Sequence, residues 1–342
     1  LEAGVKYLVQ SATGSVMVVL GIALVFLKAG TLNIEMIRMS VTSSSPELIV
    51  GGALMVIGFG VKIAMVPLHT WLPDAHSQAP SGISAMLSGI VIEVGLIALL
   101  RALGPLALTG DRWGYLLIGF GVLNILVGNL IALRQKEVKR LLAYSSLSHV
   151  GFMLLGFGAL ISYDGLLAGM GSVFHLITHG LMKSLAFLAA GVFLYNFRIK
   201  KGNHNPLMIE DLNGVSKKYP FTAFAFSVAL LSLGGIPPLA GFMSKWQILA
   251  GLAQTQDVIL IIIVVFAALM SVLSLGYYTP MINRMYRKDA SQEVLESDPV
   301  TMWMYIPIAL LTLATVVLGI LPSLLYWLTG PAAYSIYVFF GQ

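Results

Sequence analysis

The sequence predicts an all-α protein, a polytopic membrane helix bundle with about nine transmembrane helices, two of them interrupted near prolines. Of its 342 residues, 58% are hydrophobic and only 10% are charged, whereas a soluble domain has about 25% charged residues. The mean hydropathy is +0.89, and apolar runs long enough to cross a bilayer recur along the chain. A single transmembrane domain over residues 1–342 is therefore expected.

Nine apolar runs of about 20 residues or more predict the membrane spans. The two longest polar loops between them are 198–219 and 284–302, and the opening segment LEAGVKY is also predicted to be a loop. Because the chain begins with Leu1 rather than methionine, we expect further N-terminal helices to be missing. The predicted spans are 5–28, 49–72, 83–104, 114–133, 141–161, 166–197, 220–250, 258–283 and 303–328.

The lysines and arginines of the loops predict the orientation. Nine spans divide these residues thirteen to four between the two sides, and positively charged loops favour the cytoplasm. We therefore expect the start of the chain and both long loops to be cytoplasmic, and the C-terminus to lie outside. The side with thirteen, hereafter the basic side, carries Lys6, Arg134, Lys136, Lys139, Arg140, Arg198, Lys200, Lys201, Lys217, Lys218, Arg284, Arg287 and Lys288.

Composition excludes several kinds of site. The chain has no cysteine, which rules out disulfides, Cys-ligated zinc and Cys-ligated iron–sulfur clusters. The basic residues lie in short loops and form no stripe with aromatic residues, so no nucleic-acid partner is expected. We expect no cofactor in this chain, and we expect lipids of a plasma membrane or an energy-transducing inner membrane around it.

Four charged residues interrupt the predicted spans: Lys62, Glu93, Lys183 and Lys245. A charge at the centre of a transmembrane helix costs about 2.5–3.5 kcal/mol on insertion scales. These side chains are therefore expected to face the bundle interior, to pair, or to meet water. Any one of them could be a structural ion-pair partner, but four together indicate a path for ions.

Three polar residues of the sixth span, His175, His179 and Lys183, are spaced four apart. On an α-helix this spacing places them on one stripe, with a rise of about 6 Å per step. Imidazoles exchange protons near neutral pH, so the stripe suits a proton relay through intervening water. Histidines four apart can alternatively chelate zinc, but a metal would need a third ligand and the stripe continues with a cationic lysine.

Prolines interrupt two spans beside a lysine. Pro67 follows Lys62, and it removes the helical partner of the carbonyl four residues earlier. Pro237 and Pro238 precede Lys245. Because freed backbone groups in a membrane need protein or water partners, interrupted spans beside ionisable groups indicate an ion path.

Four motifs, in order along the chain, resemble those of the antiporter-like membrane subunits. This family includes proton-pumping subunits of respiratory complex I, subunits of Mrp-type Na+/H+ antiporters, and relatives in membrane-bound hydrogenases. The resemblance covers essentially the whole chain and implies that it corresponds to helices six to fourteen of a fourteen-helix subunit. The motifs are GFGVKIAMVPLHTWLPDAHSQAPSGISAML, ALRQKEVKRLLAYSSLSHVGFMLLG, FHLITHGLMKSLAFLAAG and GIPPLAGFMSKW.

The resemblance implies a role for each matching residue. Lys62 corresponds to the lysine of the family's broken seventh helix, and Lys245 to the ionisable residue of its broken twelfth. Lys139 corresponds to the lysine that opens the tenth helix, where an interfacial anchor is an equal alternative. In the family these residues, with the eleventh-helix stripe, form a hydrated midplane row joined to half-channels on both sides. The residues matching that stripe are His175, His179 and Lys183.

Two departures from the family pattern affect the ion path. The family's fifth-helix glutamate, which pairs with the seventh-helix lysine, would precede Leu1, so Lys62 lacks that partner here. Glu93 stands where many relatives have a lysine. Its carboxylate could pair with Lys62, or bind sodium as well as protons, so the ion and the direction of transfer stay open.

The expected function is proton or sodium translocation by a subunit of a multi-subunit membrane redox complex. The resemblance implies an NADH:quinone-type or hydrogenase-type translocase, with iron–sulfur clusters, NiFe or flavin only in partner subunits. Expected partners are further antiporter-like subunits, other membrane subunits and peripheral redox subunits. The alternatives are an Mrp-type Na+/H+ antiporter subunit without a redox partner, a standalone solute carrier, and a purely structural scaffold.

Overall fold

The protein is a bundle of helices. The structure, a computed structural model, describes residues 2–41, 43–109 and 112–341. In chain order the helices are α1 (Glu2–Ala29), α2 (Ile34–Ser40), α3 (Pro46–Lys62), α4 (Trp71–Gln78), α5 (Ser81–Met86), α6 (Ile92–Leu103), α7 (Arg112–Ala132), α8 (Val138–Ser162), α9 (Leu166–Phe197), α10 (Pro220–Gly234), α11 (Ala240–Gln254), α12 (Val258–Arg287), α13 (Gln292–Leu295), α14 (Met302–Ile320) and α15 (Tyr326–Phe339).

Seven helical stretches of the described residues are long and apolar enough to cross a membrane. Six of them are α1, α7, α8, α9, α12 and α14. The seventh, Ser81–Ala107, joins α5 to α6 through a π-helical turn at Leu87–Val91. The predicted all-α membrane class is confirmed.

Two further spans are interrupted, as the prolines predict. The first consists of α3 and α4, which are separated by residues 63–70, and the second of α10 and α11, separated by residues 235–239. Pro67 and Pro238 lie within these breaks and both follow cis peptide bonds. Within the described residues, the two interrupted spans and the seven continuous stretches account for the nine predicted spans.

Three predicted boundaries are wrong. Helix α1 already begins at Glu2, so LEAGVKY is not a loop over its described residues 2–7. Helix α12 continues to Arg287, so the predicted loop 284–302 begins with a helical turn. Helix α14 ends at Ile320 instead of continuing to 328, because Pro322 disfavours helical geometry in the residue before it.

Ion pairs between helix ends define the basic side of the bundle. Asp74, near the end of the first interrupted span, accepts from Lys6 at 2.9 Å and from Arg140 at 2.6 Å. Arg198, which follows α9, pairs with Glu293 of α13 at 3.0 Å. The start of α1 therefore lies on the same side as the ends of α4 and α9 and the start of α8.

Helix α15 lies across the opposite side of the bundle. Arg38 of α2 donates to the carbonyl oxygen of Val338 at 2.9 Å, and the ring of Phe339 lies against Gly104. Ala333 is fully buried in a cluster that includes Leu166, at the start of α9. This helix, which the sequence analysis does not predict, covers the ends of α2, α6 and α9.

Helices α8 and α9 form the centre of the bundle. In their most apolar stretches 94% and 67% of the residues are buried, against 17% in α1 and in α12. Polar side chains on α8 and α9 are therefore held away from lipid by other helices. This arrangement positions the candidate site.

Glycines allow α7 and α8 to approach closely. A Cβ atom on Gly151 would lie 2.6 Å from the carbonyl oxygen of Gly121 and 2.7 Å from the Ile125 side chain. Real Cβ atoms do not pack at such distances, so the two helix backbones are in direct contact. Small residues at such contacts are typical of membrane helices.

We predict that Gly151→Val pushes α7 and α8 apart and lowers the free energy of unfolding by about 1–3 kcal/mol, the usual cost of overpacking. The measurement is the thermal unfolding midpoint of the full-length protein in detergent. Gly119→Val on α7 is the matched control, because a Cβ atom there meets nothing within 4 Å. An equal loss of stability in both variants would contradict the prediction.

Candidate functional site

The first helix break surrounds Lys62, the last residue of α3. A kink at Pro67 alone would let the helix continue to residue 66, but α3 already ends at Lys62. The break in the helix therefore extends over residues 63–70. The Lys62 ammonium group donates to Ser15 Oγ of α1 at 3.3 Å. The side chain also lines a cavity of about 220 Å³ with Tyr7, Ser11 and Gly95.

Buried polar partners satisfy the backbone of this break. The indole N–H of Trp71 donates to the carbonyl oxygen of Val61 at 2.7 Å. The side-chain oxygen of Asn124, on α7, accepts from the N–H of Val66 at 2.8 Å. The break is therefore a defined structure rather than a local loss of helix, as freed backbone groups in a membrane require.

The second break holds Lys245, which is 5% exposed. Its ammonium group donates to the carbonyl oxygen of Leu233 at 2.8 Å and to Ser271 Oγ at 3.1 Å. It also lies 5.0 Å from the ring centroid of Phe152, a distance suited to a cation–π contact. Leu233 is in the last turn of α10, where backbone carbonyls lack helical partners.

Three histidines meet at the centre of the bundle. His175 and His179 of α9 have ring centroids 6.0 Å apart, as their stripe predicts. His149 of α8 lies 5.1 Å from each of them, centroid to centroid. Its Nδ1 atom is 3.0 Å from Nε2 of His175, which is hydrogen-bonding distance.

Polar side chains on other helices extend this cluster in both directions. Nδ1 of His179 is 2.9 Å from a carboxylate oxygen of Glu93, and Nδ1 of His175 is 2.6 Å from Ser244 Oγ. Ser244 precedes Lys245. The buried row thus consists, in spatial order, of Glu93, His179, His149, His175, Ser244 and Lys245.

Glu93 is placed against His179 rather than against Lys62, the partner that the sequence analysis leaves open. Its side chain is 13% exposed, and the ring of His179 is fully buried. Nε2 of His179 has no hydrogen-bond partner among the described residues, so it is free to bind water towards His149. The row is joined by hydrogen-bonding distances except at two steps: the ring-to-ring step from His179 to His149, and the step from Ser244 to its chain neighbour Lys245.

The remaining two lysines lie between the row and the basic side, and both donate to backbone carbonyls. The Lys183 ammonium group donates to the carbonyl oxygen of Leu142 at 2.6 Å and closely to Ser145 Oγ. The Lys139 ammonium group donates to the carbonyl oxygens of Ser77, at 3.3 Å, and Ala79. Lys139 therefore contacts the end of α4, which matches an anchor at the end of a span better than a member of the row.

The sequence analysis missed His149 and Ser244. His149 lies in the motif LSHVGFM of α8. The sequence of this helix has no polar stripe that would indicate which of its side chains face the other polar residues. Ser244 immediately precedes Lys245, and only the charge of the lysine stands out in this part of the sequence. Burial of both side chains was the missing signal, since His149 is 2% exposed and Ser244 is fully buried.

The zinc alternative receives no support from the described residues. Among them, no group of three or more histidine, aspartate or glutamate side chains is arranged to hold a metal ion. The ring nitrogens of His175 are already within hydrogen-bonding distance of His149 and Ser244. These contacts leave that ring no nitrogen for a metal.

The family described as "NADH:quinone oxidoreductase/Mrp antiporter, TM" matches residues 1–271. The chain belongs to this family. The resemblance predicted from four sequence motifs is confirmed.

Two curated relatives illustrate the breadth of the family. This antiporter-family chain is 35% identical over 341 residues to NADH-quinone oxidoreductase subunit N of Deinococcus radiodurans, covering 96% of this chain and 65% of the relative. It is 36% identical over 274 residues to hydrogenase-4 component B of Escherichia coli, covering 76% of this chain and 39% of the relative. The chain thus spans less than two thirds of the length of these relatives.

A solved structure shows the same fold. A chain of respiratory complex I from Thermus thermophilus with bound aureothin superposes with a TM-score of 0.78 at 29% identity. The match covers 96% of this antiporter-family chain and 69% of the other. The helical membrane architecture is therefore that of the family.

We predict that Asn124→Leu destabilises the first break, because it leaves the buried N–H of Val66 without an acceptor. The expected loss is about 1–3 kcal/mol of unfolding free energy, measured by denaturation of the full-length protein in detergent. Asn196→Leu is the control, since the Asn196 amide donates only within its own helix, to the carbonyl oxygen of Val192. A loss no larger than that of the control would contradict this role of Asn124.

Proposed function

We propose that this chain is an ion-translocating, antiporter-like subunit of a multi-subunit membrane complex, and that the ion is the proton. The observation that carries the proposal is the buried row from Glu93 to Lys245. Its polar contacts measure 2.6–3.0 Å, and its one ring-to-ring step spans 5.1 Å. Imidazole, hydroxyl and amine groups in such a series can pass protons from one to the next.

Lys62 is proposed to join the row through water. Gly95, two residues after Glu93, packs against Lys62, and both residues line the cavity of about 220 Å³. That volume exceeds the share of about 30 Å³ that one water takes in the liquid. Water in this cavity would reach Lys62 and Gly95, and the remaining step to Glu93, which does not line the cavity, would have to pass α6.

The chemistry of the row favours protons over sodium. Hard cations such as calcium and magnesium take about six oxygen ligands, and sodium is likewise bound through oxygen. The row contributes one carboxylate, which pairs with His179, and its other charged or ring groups present nitrogen. Sodium transport is the second candidate, because Glu93 places a carboxylate in the path.

We predict that proton accumulation by the vesicles continues when sodium is omitted and is abolished by a proton uncoupler, which lets the pumped protons flow back across the membrane. The assay uses membrane vesicles that contain the assembled complex with the full-length chain, and it records pH and sodium flux separately. Transport that needs sodium and survives the uncoupler would contradict proton translocation and support the second candidate.

Coupling to electron transfer is proposed to come from partner subunits. Iron–sulfur clusters, flavin or NiFe would be held there, as part of an NADH:quinone-type or hydrogenase-type enzyme. A change of charge at one end of the row would alter proton binding at its neighbour, because charges inside a protein are weakly screened. Co-purification of redox subunits with the full-length chain separates this proposal from an Mrp-type antiporter without redox partners.

The chain is an integral membrane protein, and we propose a plasma or energy-transducing inner membrane as its location. The basic side, with thirteen lysines and arginines in its loops, would face the cytoplasm. The start of the chain and the loop 198–219 would then be cytoplasmic, and α15 would lie on the outer surface.

We predict that Lys62→Ala and Lys245→Ala each abolish ion pumping by the assembled complex without preventing its assembly. Each change removes a titratable group from the proposed path. Lys62→Ala leaves the backbone partners of the first break, Trp71 and Asn124, in place, and Lys245→Ala leaves the Leu233 carbonyl to be satisfied by water. Pumping and assembly are measured in the same vesicles. Lys217→Ala is the control, because this exposed lysine pairs only with the fully exposed Asp289 on the basic side. Normal pumping in both path variants would refute their role.

A further inference from the structure

A large cavity opens on the basic side between α5, α9 and α14. Its volume is about 680 Å³, and its lining includes Ser77, Ser81, Lys139, Gly191 and Trp303. Lys139 is 3% exposed and places an ammonium group at the wall. The cavity therefore opens towards the basic side and has one ammonium group on a wall that is otherwise mainly apolar.

A buried histidine lies next to this cavity. His76, in the last turn of α4, is fully buried, and neither ring nitrogen has a hydrogen-bond partner among the described residues. A buried polar group without a partner costs free energy, typically 1–3 kcal/mol. Such groups usually bind water or have a functional reason to be there.

Helix α9 places His76 between the row and the cavity. Phe187, one turn beyond Lys183, stacks on the His76 ring with centroids 4.7 Å apart and planes 13° apart. One further turn along α9, Gly191 touches Ser81 at the cavity wall. His76, which α4 contributes, therefore extends the polar stripe of α9 towards the cavity.

We propose that His76 carries protons between the basic-side cavity and Lys183, and so forms an entry branch to the buried row. This inference rests on the proposed function and adds a specific residue and direction to it. The charged groups around the ring fit the assignment, since the ammonium groups of Lys139 and Lys183 both act on it electrostatically. No described carboxylate is recorded among these electrostatic partners.

The transfer balances when water bridges the groups. One ring nitrogen of neutral His76 accepts a proton from water of the cavity. The other releases its own proton through an intervening water to Lys183, since neither ring nitrogen has a hydrogen-bond partner among the described residues. In its neutral form the Lys183 amine can donate to Leu142 and Ser145 and still keep a lone pair for that proton. The ring is left as its other tautomer.

A carboxyl group at the mouth completes the branch. Glu137 immediately precedes α8 and is 9% exposed, and burial raises the pKa of its carboxyl above the ordinary range. One of its oxygens has no hydrogen-bond partner among the described residues. A protonated or water-bound carboxyl beside Lys139 can exchange protons with the cytoplasmic solvent of the proposed orientation.

The experiment combines substitution with chemical rescue in vesicles that contain the assembled complex and the full-length chain. His76→Ala should lower the rate of proton pumping about tenfold or more, in line with the usual contribution of a positioned acid–base group. Imidazole added on the basic side should restore a measurable part of this rate. Pyrazole, a ring of the same size whose free nitrogen is too weakly basic to take up a proton at neutral pH, should not.

A second variant covers the case in which His76→Ala fails to assemble. His76→Phe keeps an aromatic ring to stack on Phe187 and cannot titrate, so it should assemble and lose pumping. Normal pumping in either assembled variant, or equal rescue by pyrazole and imidazole, would overturn the proposal and leave His76 a packing role. Lys245→Ala is measured beside them: if it pumps normally, the proposed function itself fails, whereas normal pumping by the His76 variants alone removes only the entry branch.

Discussion

The structure depends on one constraint: a cation inside the membrane needs a negative partner, and this interior has few carboxylates. Two lysines meet this need at the carbonyl end of a helix. Lys245 donates to Leu233 in the last turn of α10, and Lys139 donates to carbonyls at the end of α4. Helix C-termini carry partial negative charge and unpaired carbonyls. The interruption of the second span therefore creates the site that Lys245 occupies, whereas Lys62, at the end of α3, donates to Ser15 Oγ.

The same constraint explains why the three histidines of the row lie on α8 and α9, at the buried centre of the bundle. The carboxylate of the buried row is Glu93, and it pairs with His179. The neutral partners of the other rings, such as Ser244 on His175, can accept or donate without adding charge. Close glycine contacts between α7 and α8 keep this centre dense, so the polar groups meet one another rather than lipid.

Much of the fold could be predicted from sequence, because length and hydropathy determine spans, and prolines mark breaks. The stripe from His175 to Lys183 follows from helical periodicity within one segment. His149 and His76 could not be found this way, since they join the stripe from other helices, and no spacing rule predicts which faces meet. Helix α15 was missed for a related reason: its apolar residues continue the run of α14, and only Pro322 separates them.

The hydrogen bonds of His175 have a direction, because each one needs a donor and an acceptor. A neutral imidazole has one N–H, so the ring cannot donate to both His149 and Ser244. In the proposed relay, each proton that passes reverses the direction of the hydrogen bonds along its path. The imidazole rings must then reorient before the next proton can pass. His149 and His175 are stacked, with centroids 5.1 Å apart and planes 24° apart, inside closely packed helices. The stacking therefore makes reorientation slower than the hop and gives the row a recovery time after every passage.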